Sequence, residues 1–193
     1  MAMNFLVSAL ALLATSVQGQ SIAKWTEPTS TVEYNLAIPE AAAAPFDVYL
    51  SIVAPINVTY AAVAFGGCML RSPLLVAWKN DTNILASPRW AVEYHPPALY
   101  NETSVVVYKS STVNATHWKA NLLCTGCSSW LGGSVKALGS ATFGWGVSSH
   151  PLGTPASVNS SIPYHDVGKG HFTLNITSAR NSASAFDTLK SSQ

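Results

Sequence analysis

"HFTLNITSA", residues 171–179, alternates strictly: Phe172, Leu174 and Ile176 fall on one side of a period-2 chain, Thr173, Asn175 and Thr177 on the other. Asn175-Ile176-Thr177 is also an N-x-Thr glycan acceptor, and a glycan must face solvent. Phe172, Leu174 and Ile176 therefore face a core, and the segment reads as a half-buried strand. Outward from it, the same signature recurs at 31–37, 46–53, 59–65, 74–79, 83–86, 104–110, 117–124 and 141–147. Val, Ile, Tyr, Trp and Thr gather in these segments, and Asn, Pro, Gly and Ser lie between them. Spacings of this kind without a long amphipathic helix predict an all-β sandwich or barrel. One short helix is expected near 182–190, capped by Ser182 or Ser184. The Ser-rich stretch 147–161, with Pro151 and Pro155, reads as a long loop, and no internal repeat or domain linker interrupts the chain.

The 193 residues suffice for one domain with a sizeable core. Ten basic against nine acidic residues leave a net charge of +1, and no Lys/Arg cluster offers a phosphate-binding surface, which argues against nucleic acid. Residues 1–19, "MAMNFLVSALALLATSVQG", have the apolar core and small-residue end of a secretory signal peptide, although the first residues carry no Lys or Arg. Cleavage after Gly19 leaves a domain of residues 20–193. No other stretch reaches the roughly 18 apolar residues of a membrane span, so a secreted, extracellular protein is expected. Six sequons agree with that: Asn57, Asn80, Asn101, Asn114, Asn159 and Asn175.

Cys124 and Cys127 form a C-x-x-C, for which a disulfide is the expectation in an exported protein. Covalent haem attachment would require a histidine where Ser128 stands, and neither zinc spacing nor a βαβ redox context is present. Cys68 is left over, and the ordinary reading is a small buried hydrophobe. Of five histidines, His117 and His171 lie within strands, while His95 and His150 precede prolines in loops. His165 sits in "PYHDVGKGHF" (163–172), just before a strand and beside Gly168 and Gly170. Met69 sits on a similar glycine-rich corner in "AFGGCMLRSPLLVAW" (64–78). A sandwich can bring two such corners together. A thioether and an imidazole converging from two loops are the axial set of a haem. Soft sulfur with imidazole also suits copper, although only Cys68 stands near as a further ligand. By period 2, His171 points outward with Thr173 and Asn175, whereas His165 lies before the strand beside glycines that free its loop to bend over a ligand, with Asp166 expected to orient it.

Several pieces resemble the b-type cytochrome domain of fungal cellobiose dehydrogenase and its stand-alone, iron reductase-type relatives: "VAFGGCM…PLLVAW" (63–78), "SPRWAVEYHPPALY" (87–100), "LLCTGCSSW" (122–130), "FGWG" (143–146) and "YHDVGKGHF" (164–172). The resemblance implies an immunoglobulin-like antiparallel β-sandwich with a haem pocket at one end, non-covalent haem b, and Met69 and His165 as the axial iron ligands. It also implies a place for Tyr94 near the haem edge and supports the Cys124–Cys127 disulfide. The chain runs to Gln193 without a G-x-G-x-x-G fingerprint, a flavin domain, a cellulose-binding module or an anchor. Sugar oxidation is thus not expected of this chain itself.

The implied role is a secreted, monomeric single-electron carrier. Its donor would be a flavoenzyme (a flavin dehydrogenase) or a quinol, and its acceptor a copper polysaccharide monooxygenase, ferric ion or quinone. The rival is a haem-free sandwich that binds carbohydrate or a protein partner through Trp25, Trp90, Trp118 and Trp130.

Overall fold

The computed structural model describes residues 19–40 and 43–191. The first eighteen residues of the expected signal peptide lie outside the described residues. The strands are β1 (Ala23–Thr26), β2 (Glu33–Pro39), β3 (Val48–Pro55), β4 (Tyr60–Ala64), β5 (Leu74–Asn80), β6 (Asn83–Trp90), β7 (Ala98–Leu99) and β8 (Ser104–Val107). They continue as β9 (Thr112–Val113), β10 (His117–Thr125), β11 (Ser129–Trp130), β12 (Gly133–Ser134), β13 (Ser140–Ser148), β14 (Gly168–Asn175) and β15 (Arg180–Asn181), before helix α1 (Ala183–Ser191).

Two sheets face each other. The first runs β1-β2-β3-β10-β8, with β9 on β10 and β15 parallel to β2; the second runs β14-β13-β4-β5-β6-β7, antiparallel throughout. The protein is thus the two-layer β-sandwich that the strand pattern predicts. Between the layers, Tyr34, Leu36, Leu50, Ile52, Trp118 and Leu122 of the first sheet meet Val63, Leu75, Phe143, Phe172 and Leu174 of the second. The predicted register of β14 holds: Phe172 and Leu174 are buried, and Thr173 and Asn175 are exposed. The strand stops at Asn175 because its side chain accepts the Thr177 N–H at 3.1 Å and caps a 3-10 turn, Ile176–Ala179, which still buries Ile176.

Strand β1 has no counterpart in the sequence reading. It is short, and its case rests on Trp25, whose ring stacks on Phe172 at 4.6 Å. Tyr34 and Phe143 flank the same Phe172 ring at 5.3 and 5.4 Å. Helix α1 begins where expected, with the Ser182 carbonyl accepting the Phe186 N–H, and lays Phe186 and Leu189 on Ala37 and Tyr49, the outer face of the first sheet.

The second sheet is apolar on its outer face as well. Tyr60, Val76 and Trp78 point away from the sandwich core and are covered by Leu152 and Ile162 of the segment between β13 and β14. This two-sided burial explains why "PLLVAW" reads as an unbroken apolar run rather than an alternation. Because Phe172 joins three aromatic neighbours between the sheets, Phe172→Ala should cost about 3–5 kcal/mol of stability. Denaturant unfolding with an unchanged slope would show it.

Candidate functional site

A cavity of about 660 Å³ lies against the outer face of the second sheet. That face is walled by three loops, so space is enclosed beside the sheet. Small residues make the floor: Ala62 and Ala64 of β4, and Gly144 and Gly146 of β13, with Leu74 and Val76 of β5 beside them. All six alternate onto the outer face. The floor is also tight. A Cβ on Gly146 would stand 3.3 Å from His165 Cδ2, and one on Gly144 would stand 2.8 Å from the Gly67 carbonyl oxygen. Residues 67–69, 94–97 and 162–165 wall the cavity.

The segment 149–167 has no regular structure, so its backbone groups need other partners. The sheet supplies them. Trp78 Nε1 donates to the Pro155 carbonyl at 2.7 Å, and the Tyr60 hydroxyl donates to Pro163 at 2.7 Å. Arg89, 3% exposed, donates to Val158 and Ser160 carbonyls at 2.7 Å each, to Pro97 at 3.2 Å and to the Ser87 hydroxyl at 2.8 Å. One buried guanidinium therefore ties β6 to two of the cavity's walls. The sequence reading missed Arg89, and nothing local marks it: only its position on the covered face makes it structural.

Met69 and His165 both line this cavity, as the two-corner reading expects. Met69 is half-buried against Ala64, Leu74 and Ala91. His165 is half-buried, with Tyr164 tilted against its ring at 4.4 Å, and its Nδ1 is buried without a hydrogen-bond partner. Burial pushes the imidazole pKa down, and the nearby Lys169 charge adds to the effect. The ring is therefore held neutral, the form that binds a metal. An imidazole with an unpaired ring nitrogen and a thioether on the lining of one cavity fit a flat iron-bearing cofactor, and the cavity volume lies within the roughly 300–1,000 Å³ of cofactor sites. Tyr94 stands at the cavity wall, 82% exposed.

Three expectations need correction. Asp166 does not orient His165: its carboxylate lies 2.6 Å from the Ser148 hydroxyl and accepts from the Ser149 N–H at 2.9 Å and the Ser149 hydroxyl at 2.6 Å. It therefore clamps the two ends of the 149–166 segment together, because short polar partners lie on β13 and not at the imidazole. Cys68 is exposed and free, not buried, since its corner turns outward at Gly67 and the thiol lies over the Leu70 carbonyl at 3.4 Å. The four tryptophans form no common platform. Trp118 is fully buried and donates to Val58, Trp25 stacks in the core, Trp90 stacks on Tyr100 at 4.8 Å, and Trp130 packs at the β11–β12 hairpin against Gly66 and Gly133. The Cys124–Cys127 disulfide is present and buried. Asn57, Asn101, Asn114, Asn159 and Asn175 are exposed, and Asn80 is half-buried.

Fold and cavity together define a β-sandwich ligand-binding domain. Residues 14–186 match the family described as the cytochrome domain of cellobiose dehydrogenase, and the chain belongs to that family. A pyrroloquinoline quinone-dependent pyranose dehydrogenase of Coprinopsis cinerea is 28% identical over 173 residues, which are 82% of this chain and 24% of that enzyme. The chain thus spans about a quarter of the length of the curated relative. The crystal structure of the cytochrome b domain of Coprinopsis cinerea pyranose dehydrogenase matches with a TM-score of 0.77 at 26% identity, over 82% of this chain and 83% of that one. The cytochrome domain of Myriococcum thermophilum cellobiose dehydrogenase shares the fold, with a TM-score of 0.74 at 21% identity over 91% of this chain and 98% of that one.

Two outcomes follow for the walls. Arg89→Leu leaves three carbonyls without their donor and should cost roughly 2–4 kcal/mol, seen in chemical denaturation. The hydroxyls of Ser148 and Ser149 hold the Asp166 carboxyl well below the usual carboxylate range. A depressed folded value means that the clamp contributes fully above the unfolded pKa and weakens only as pH falls below it. Protection of the Ser149 amide from hydrogen exchange should accordingly persist from neutral pH down to about pH 4 and vanish at any pH in Asp166→Ala.

Proposed function

We propose that this protein is a secreted b-type cytochrome that carries single electrons, with haem b held non-covalently in the outer-face cavity between Met69 and His165. The observation that carries the reading is the convergence of a half-buried thioether and an orphaned, neutral imidazole on one cavity in a member of the cytochrome family. When bound, haem supplies a one-electron ferric/ferrous couple, with thioether–imidazole ligation raising its potential.

The chain's own residues do the rest. His165 presents a neutral ring nitrogen, and Met69 presents a sulfur that favours the ferrous state. Leu74, Val76, Ala62 and Ala64 offer the cofactor an apolar seat that excludes water. Gly144 and Gly146 let the Gly67 carbonyl and the His165 imidazole lie close over the sheet. Tyr94, exposed at the cavity wall, would stand near a bound haem, on the side where electrons could enter or leave. Electrons would come from a separate sugar-oxidising dehydrogenase or a quinol and pass to a copper polysaccharide monooxygenase, ferric ion or quinone outside the cell. Export through residues 1–19 would leave Gln20 as the N-terminal residue, and the sequons would carry glycans.

Purified protein should take up haemin, release it into acid acetone because no thioether bond to a cysteine is formed, and give the reduced spectrum of a six-coordinate low-spin cytochrome. A colourless protein that also refuses haemin would overturn the reading. His165→Ala should abolish the low-spin spectrum or haem retention. Met69→His should keep six-coordination but lower the potential, because a second imidazole favours ferrous iron less than a thioether does; redox titration reads the shift directly.

A further inference from the structure

The register of β14 sends His171 outward, yet outward on this sheet is the cavity side. His171 lines the cavity, and its Nδ1 is hydrogen-bonded to the carbonyl oxygen of Gly67, two residues before Met69. A carbonyl only accepts, so Nδ1 carries the proton and donates. Two features of the backbone aim that carbonyl. Gly67 has φ +84°, a conformation that side chains other than glycine rarely adopt. Gly144, paired with His171 across β13 and β14, lacks the Cβ that would come within 2.8 Å of the Gly67 oxygen. The oxygen therefore passes over β13 to reach the imidazole on β14.

The rest of the Met69 corner is tied elsewhere. The Ser72 hydroxyl donates to Cys68 at 2.9 Å, and the Arg71 N–H donates to Ala91 at 2.8 Å. Among the described residues, the His171 bond is the hydrogen bond that joins this corner to β14, the strand that His165 leads into and that begins at Gly168. One strand thus carries the candidate imidazole ligand at its entrance and, further along, the latch that holds the candidate thioether's loop.

We propose that His171 is a positioning residue: by donating Nδ1–H to the Gly67 carbonyl it fixes the corner that carries Met69 and sets how firmly the thioether is presented to the cofactor. This inference rests on the haem reading above. A thioether is a weak, neutral ligand. Its bond to iron therefore depends on how little freedom its loop must surrender when it binds.

The test compares His171→Ala, His171→Asn and His171→Gln in the full chain. Asn places an amide N–H where Nδ1 stands, whereas Gln carries it one bond further out. In cofactor-free protein, amide hydrogen exchange over residues 66–72 should quicken by roughly two- to tenfold in the Ala variant, the loss of one hydrogen bond. In haem-loaded protein the thioether-to-ferric charge-transfer band should weaken and the potential fall. Asn should restore all three signals and Gln should not. Should His171→Ala unfold the chain, Gly144→Ala displaces the same carbonyl with His171 intact and should reproduce the exchange and potential changes. Exchange, band and potential unchanged by both His171→Ala and Gly144→Ala overturn the proposal, as does equal rescue by Asn and Gln. Wild-type protein that takes up no haemin instead fails the haem reading, and the cofactor-free exchange result separates that failure from a failure of the latch.

Discussion

Strands β4, β5 and β13 are buried on both faces, and the architecture of the site follows from that constraint. An inner face packed against the first sheet is the ordinary condition of a sandwich. An outer face bearing Tyr60, Val76 and Trp78 must also be taken out of water, and among the described residues no helix lies over it. An irregular segment does the covering, and such a segment can lie on apolar surface only if its own carbonyls find donors. Trp78, Tyr60 and Arg89 each turn a polar tip toward it. The side chains that create the need for a cover are therefore, in part, those that hold it.

The cover does not fit everywhere, and the gap is the cavity. Where Ala62, Ala64, Gly144 and Gly146 replace large side chains, the sheet has no bulk to fill the space beneath the loops. Filling that space with larger residues would gain packing at the expense of the seat. The same scarcity of side chains lets Gly67 lean across β13 and lets His165 lie close over Gly146. Smallness is thus used twice, once to leave room and once to allow backbone and imidazole to approach the sheet.

Polar groups around the cavity divide into restraints and donors. Asp166, expected beside the imidazole, spends its hydrogen bonds on Ser148 and Ser149 and keeps the long segment closed. Arg89 is a buried cation whose partners are three carbonyls and a hydroxyl, an arrangement that persists because every removal leaves several groups unpaired at once. Among the described residues around the cavity, His165 keeps a buried ring nitrogen without a hydrogen-bond partner.

Period and turn chemistry are local properties, so the sequence by itself determined most of the longer strands, the inward face of Phe172, Leu174 and Ile176, the place of the short helix, the disulfide pair and the two corners bearing Met69 and His165, but not β1 or the short pairings β7, β11, β12 and β15. The small outer-face residues Ala62, Ala64, Gly144 and Gly146 went unremarked in the sequence, because nothing local says that the face they share borders a cavity. Tertiary structure decided what that face borders. Which face of a sheet is covered depends on a segment far away in the chain, and alternation tells inside from outside without saying what lies outside. For that reason His171 was placed correctly on its strand and yet turned out to face the cavity, Asp166 found hydroxyls instead of an imidazole, Cys68 came to the surface, and Arg89, unremarkable as a residue between Pro88 and Trp90, became the tie between two walls.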